Sequence, residues 1–181
     1  AKYEITVKAN SATATYDGKE HEAVGVETYE FTVEGNSYTV SGLSTEDPKQ
    51  KDAGSYTNNI TGTPVVTDKE GNVVTSEFEV KTENGSLEIG KAAVTLKSAT
   101  LSKKYDGNAL VNGDTALEVE SGFAEGEGAT YNFTGSQTVV GSSANAFSYE
   151  LNSNTNIDNY AISKQEGTLT VTNREAKYEI T

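Results

Sequence analysis

The chain has 181 residues, with 27 Asp and Glu against 14 Lys and Arg, a formal charge of −13. So acidic a balance argues against a nucleic-acid backbone as partner, which calls for clustered Lys and Arg. Cys, Met and Trp are absent and His21 is the single histidine, which excludes disulfides, thiolate sites and cysteine nucleophiles and leaves little scope for imidazole catalysis.

Along the chain the hydrophobic period is 2 rather than 3.6. Tyr3, Ile5 and Val7 alternate with Lys2, Glu4, Thr6 and Lys8, the pattern of a strand with one face on a core and one in water. Tyr29, Phe31 and Val33 repeat the pattern, and Gly35-Asn36 then predicts a hairpin into SYTV (Ser37 to Val40). STEDPKQKDAG (Ser44 to Gly54) is the best candidate for a short helix or turn, with Pro48 to start it. DKEGN (Asp68 to Asn72) reads as a turn between PVVT and VVTS. Asn84-Gly85 predicts a second hairpin, between FEV and SLEI. No stretch carries a helical stripe, and no apolar run approaches the ~18 residues of a membrane-spanning helix. Hydrophobic content is only 34%, yet 10 Tyr, 5 Phe and many Val and Thr suit a half-buried pleated surface better than a disordered chain. The expectation is an all-β protein.

The chain repeats itself. AKYEIT at Ala1 to Thr6 recurs at Ala176 to Thr181, so residues 176–181 read as the start of a next copy and the chain as a segment of a longer protein. Inside that unit, ATYDG (Ala14 to Gly18) matches KKYDG (Lys103 to Gly107), 89 positions later. AGSYTNNI (Ala53 to Ile60) matches VGSSANAF (Val140 to Phe147), and FEVKTENGSLEI (Phe78 to Ile89) matches YAISKQEGTLTV (Tyr160 to Val171). The order is kept while the offset drifts, as when strands are shared and loops vary. The two modules are residues 1–90 and 91–175, and the first carries an insertion around Thr61 to Thr75.

The YDG triplets have a physical reading. Tyr16 and Tyr105 can bury a ring, Asp17 and Asp106 can accept backbone N–H groups in an Asx turn, and Gly18 and Gly107 allow positive φ. That makes the motif a turn lock, with a ligand contact at the module tip as the functional alternative. With SATATYDGKEHEA and SATLSKKYDGNAL, then GSQTVVGSSANAF and NYAISKQEGTLTV, the chain resembles the YDG/MBG-type repeats of bacterial surface adhesins. The resemblance covers both modules. It implies small β-rich folds, β-grasp-like or, alternatively, immunoglobulin-like sandwiches. It also implies an extracellular location at the bacterial cell surface and a structural role without cofactor.

Other chemistry is weaker. His21 lies in KEHEA, where module 2 has Leu110, and is expected as an exposed loop residue. Glu118/Glu120 and Glu125/Glu127 are carboxylate pairs that suit solubility better than glycoside hydrolysis. DKEGN lacks the closing Glu of a calcium loop, so no metal is expected. An isopeptide bond would join Lys8 or Lys97 to Asn58 or Asn145, but Lys8 falls on the polar phase of its strand.

The resulting expectation is a non-enzymatic stalk or spacer, two β-modules end to end, projecting a distal binding domain. Its partners are neighbouring repeats of the same chain and, through the parent protein, host glycan or protein. Neither nucleic acid nor membrane insertion is expected, and the state is monomeric. The alternative is an adhesive module that itself binds host glycan or protein.

Overall fold

The computed structural model describes residues 2–173, and the recurrence of AKYEIT at 176–181 lies outside them. The protein is all-β. No α-helix occurs among the described residues, only two 3₁₀ turns at Thr75–Glu77 and Ile157–Asn159. Backbone contacts divide the chain at Gly90 into two compact units, Ala1–Gly90 and Lys91–Thr181.

The first unit holds ten strands: β1 (Tyr3–Lys8), β2 (Ala12–Thr15), β3 (His21–Glu22), β4 (Glu30–Val33), β5 (Asn36–Thr45), β6 (Lys49–Gln50), β7 (Gly54–Asn58), β8 (Ile60–Asp68), β9 (Phe78–Glu83) and β10 (Gly85–Gly90). Among its described residues the second holds eight: β11 (Ala92–Lys97), β12 (Leu101–Lys104), β13 (Val119–Ser121), β14 (Ala129–Phe133), β15 (Gly141–Ala144), β16 (Phe147–Leu151), β17 (Tyr160–Gln165) and β18 (Thr168–Thr172).

The same backbone plan organises both units. In the first, β1 pairs parallel with β9 and β2 pairs parallel with β10. Tyr3 faces Phe78 and Thr15 faces Gly90, 75 positions apart in each case, so the register does not slip between the two pairings. In the second, Ala92 faces Tyr160 and Lys104 faces Thr172, 68 positions apart in each case. The opening and closing segments of a unit therefore form one parallel ribbon, bent where the strands pass from one sheet to the next. A strand turning such a corner is a known way to build two packed sheets. β7 and β15 add antiparallel to the outer half of each ribbon.

The expected alternation appears as burial. Ile5 and Val7 are buried with Val40, Val66 and Phe78 in a cluster against which Tyr29, Phe31, Val33, Tyr38 and Val80 pack. In the second unit Val94, Leu96, Leu169 and Val171 are buried by the same alternation. Phe78 meets Tyr38 edge-on, with ring centroids 4.8 Å apart.

Local expectations meet mixed fates. The hairpin from β4 to β5 forms, with Glu34-Gly35 as its two-residue loop, both at positive φ (51° and 83°) as a primed turn requires. Asn84-Gly85 makes no hairpin. β9 and β10 do not pair with each other, and the dipeptide is the ribbon's corner. Ser44 to Gly54 holds no helix, because Asp47 sits at φ 56° and Lys49–Gln50 pairs with His21–Glu22. The insertion near Thr61 to Thr75 lengthens β8 and adds the Asp68–Asn72 turn, closed by the Asp68 N–H donating to the Asn72 carbonyl at 3.0 Å.

At the corner the two backbones nearly touch. A Cβ on Gly85 would lie 2.7 Å from the Ala9 carbonyl oxygen and closer still to that of Asn10. One on Gly167 would lie 2.5 Å from the Ser98 carbonyl oxygen and closer still to that of Ala99. Gly85→Ala and Gly167→Ala are each expected to cost about 1–3 kcal/mol or more, since backbone rather than a flexible side chain must yield. Gly90→Ala, whose Cβ would sit 3.8 Å from its nearest neighbour, should change stability by less than about 0.5 kcal/mol. Urea denaturation of the three variants measures the contrast.

Candidate functional site: the YDG turns and the buried asparagines

Each YDG triplet begins where its ribbon ends. The Tyr16 N–H donates to the Gly90 carbonyl and the Tyr105 N–H to that of Thr172, both at 2.8 Å. The next residue then closes a tight turn. Asp17 Oδ1 accepts the Lys19 N–H and Asp106 Oδ1 accepts the Asn108 N–H, both at 2.9 Å. Gly18 and Gly107 follow at φ 78° and 83°, which a residue with a Cβ rarely adopts. These are Asx turns, in which a short acidic side chain replaces one arm of a backbone turn. The tyrosines differ: Tyr16 is buried, whereas Tyr105 is 36% exposed.

The carboxylates of these turns also hold nitrogen-bearing side chains. His21 Nε2 lies 2.9 Å from Asp17 Oδ1, and Lys103 Nζ donates to Asp106 Oδ1 at 2.9 Å. His21 is thus not a free loop residue. It lies half-buried on β3, tied to the turn that precedes it.

The corner of each ribbon is closed by matching bonds from different residues. Asn58 and Asn145, the last residue of β7 and the residue after β15, are fully buried. Asn58 Nδ2 donates to the Asn10 carbonyl at 3.1 Å, and Asn145 Nδ2 to the Ala99 carbonyl at 2.9 Å. Ser11 Oγ accepts the Ser86 N–H at 3.0 Å, and Thr100 Oγ1 accepts that of Thr168 at 3.3 Å. The side chains of Asn84 and Glu166 accept the N–H groups of Ile60 and Phe147. Each bond satisfies a backbone group that the bend takes out of the ladder. The second unit adds Ser98, whose buried hydroxyl donates to the Asn145 carbonyl at 2.7 Å and accepts the Gly167 N–H at 2.9 Å.

The remaining chemical candidates resolve into structure. Lys8 and Lys97 stand on water-facing sides in ion pairs with Glu83 (3.6 Å) and Glu118 (3.0 Å), while Asn58 and Asn145 lie in the interior on carbonyls. That arrangement disfavours the lysine–asparagine cross-link. Glu120 accepts the Tyr131 hydroxyl, and Glu127 accepts the Tyr160 hydroxyl at 2.7 Å. Burial, with Glu127 beside it, pushes the Tyr160 phenol up to about 12 even though the Ala124 N–H favours the phenolate. Asp68 accepts the N–H groups of Asn72 (2.9 Å) and Glu70 (3.0 Å), which fixes its turn. Among the described residues no cluster of three His, Asp or Glu side chains is arranged to hold a metal ion.

No protein-family model, curated protein or solved structure matches the chain.

Removing a corner amide leaves buried carbonyls without a donor. Asn58→Ala and Asn145→Ala are therefore expected to cost about 1–3 kcal/mol each, measured as a fall in urea midpoint.

Acid should act through the turns. Four Asp carboxyls are held below their usual range: Asp17 chiefly by the Lys19 N–H, Asp47 by the Thr45 hydroxyl, Asp68 by the Asn72 N–H and Asp106 by Lys103. A carboxyl depressed on folding contributes stability above its unfolded value near about 4, and that stability is lost as pH falls through the folded value. Protonation also relieves the repulsion of a −13 chain, so Tm alone mixes two effects. The double variant Asp17→Asn/Asp106→Asn separates them. Its Tm should fall less steeply than that of the parent between about pH 5 and pH 2.

Proposed function

We propose that the chain is a non-enzymatic, load-bearing spacer: a pair of YDG/MBG-type repeats from the stalk of a bacterial surface adhesin. Its place is extracellular, its neighbours are further repeats of the same chain, and the parent protein carries the distal binding domain.

One observation carries the reading. Because the first and last strands of a unit run parallel, the chain enters at one end of the ribbon and leaves at the other. A pull on the two ends slides the strands past each other along the ladder. All rungs then carry load together, whereas a hairpin pulled at its open end yields one rung at a time. The corner bonds tie the bend, so it does not act as a hinge within the ribbon. A transient ligand module has no need of such a plan twice over. The acidic groups support the same reading, since many serve turns and ion pairs while the rest keep the surface charged.

Pulling single molecules tests this. Each unit should yield in one step, releasing about 30 nm of chain for about 90 residues. The 181-residue chain should sediment as a monomer. Asn58→Ala should lower the yield force of one unit and leave the other unchanged. Gradual unzipping at forces near thermal noise, in both units, would overturn the proposal.

A further inference from the structure

One cavity lies wholly within the second unit, beside the edge strand β13. It measures about 230 Å³ and is lined by Thr115, Ala116, Leu117, Glu120, Tyr131 and Phe133. Pockets for drug-sized ligands run to about 300–1,000 Å³, so this one suits a headgroup of a few heavy atoms. Tyr131 and Phe133 are two apart on β14 and therefore stand on one face of it. Both rings pack against the buried Phe147, with centroids 6.2 and 5.7 Å away. The loop that supplies Thr115 is tied down as well. Asn112 Nδ2 donates to the Thr115 carbonyl at 2.8 Å, and Asn112 Oδ1 accepts from Asn145 Nδ2 at 2.9 Å. Such a site is largely ordered before any ligand arrives, which lowers the cost of binding.

Glu120 is out of phase with its strand. It pairs in register with Leu96, and residues opposed across an antiparallel ladder point to the same face. Leu96 is fully buried, so the carboxylate stands on the core side while Val119 takes the outer one. The fold does not call for a charge there. In the first unit the Ala9–Val26 bridge places Thr28 beside Val7, and the Thr28 hydroxyl turns to its own backbone by accepting the Glu30 N–H. Among the described residues no Lys or Arg pairs with Glu120, whose partner is the Tyr131 hydroxyl. Burial, and then Glu120 itself, hold the Tyr131 phenol above its ordinary value, so the hydroxyl stays a donor. A neutral donor orients the carboxylate and leaves its charge uncompensated. We propose that this cavity binds a quaternary ammonium group, the trimethylammonium head of a choline-type ligand. The rings and Leu117 would take the methyl groups, while Glu120 and the ring quadrupoles take the charge. With no N–H, such a group does not compete with Tyr131 for the carboxylate. A primary ammonium would compete, and is also more strongly hydrated.

NMR titration of the 181-residue chain at fixed ionic strength tests the site, with choline as probe. Its neutral tert-butyl analogue, in which carbon replaces the nitrogen, is the control. Choline should give saturable shifts at residues 115–120 and 131–133 with a millimolar Kd, and the analogue should bind severalfold more weakly. Glu120→Gln keeps an acceptor for the Tyr131 hydroxyl and should keep the Tm, yet erase the preference for choline. The proposal is overturned by an absence of saturable shifts at tens of millimolar choline. Shifts that sodium reproduces would also overturn it, since they report diffuse attraction to a −13 chain. So would equal affinity for the analogue, or a preference that survives in folded Glu120→Gln. Once choline binds, phosphocholine distinguishes the sources. Equal affinity points to a headgroup carried on a phosphate, and severalfold weaker binding, through repulsion by Glu120, to a free alkylammonium. The load-bearing reading stands apart from each result, since pulling interrogates the ribbon and not this cavity.

Discussion

The structure depends on one difficulty: a strand pair must leave one sheet and enter another without stranding its backbone polar groups. Within a ladder each N–H and C=O has a partner. At the bend, between Lys8 and Ala12 and again between Lys97 and Leu101, the ladder stops while the chain stays close to buried ground. Each unmet group there would cost about 1–3 kcal/mol, comparable with a sizeable share of a small domain's stability. Asn58, at the end of β7, and Asn145, just past β15, meet the need from beside the bend, hydroxyls of Ser11 and Thr100 meet it from the bend itself, and glycine at 85 and 167 lets the backbones come near enough. Strand register, sheet membership and the place of the YDG turn all follow from that corner.

The two units show which parts of this solution are chemical and which are incidental. Asn84 and Glu166 differ in charge, yet an oxygen of each accepts the N–H of the residue that opens the next strand. What the position requires is an acceptor. Gly85 and Gly167 do not vary, because the position requires the absence of a side chain.

The strands were legible because alternation is local. The parallel pairing was not, since nothing in the alternation of Tyr3, Ile5 and Val7 says that their partner lies 75 residues away. Asn84-Gly85 misled for an instructive reason. Asn-Gly is a strong hairpin signal when glycine is needed for positive φ, but here Gly85 is needed for close approach. Similarly, SAT at Ser11 to Thr13 and at Ser98 to Thr100 look equivalent, whereas the corner bonds match Ser11 to Thr100. The buried asparagines were visible only as chemical candidates. Their signal was an amide at the same place in AGSYTNNI and VGSSANAF, ending a strand whose partner half was apolar.

A chain with 34% hydrophobic residues and no disulfide has a limited apolar contribution to stability. Its buried side chains are mostly Val, Ile, Leu and Ala in narrow rows along the ribbons. Such a core resists global unfolding only modestly, but the response to force depends on how bonds are arranged and not only on their sum. A parallel ribbon loaded from opposite ends must break its ladder as a group, so the barrier to forced unfolding reflects many rungs at once. The bend would be the weak point of that ladder, where rungs are missing. It is there that the buried amide, the hydroxyl and the close glycine contact are concentrated in both units.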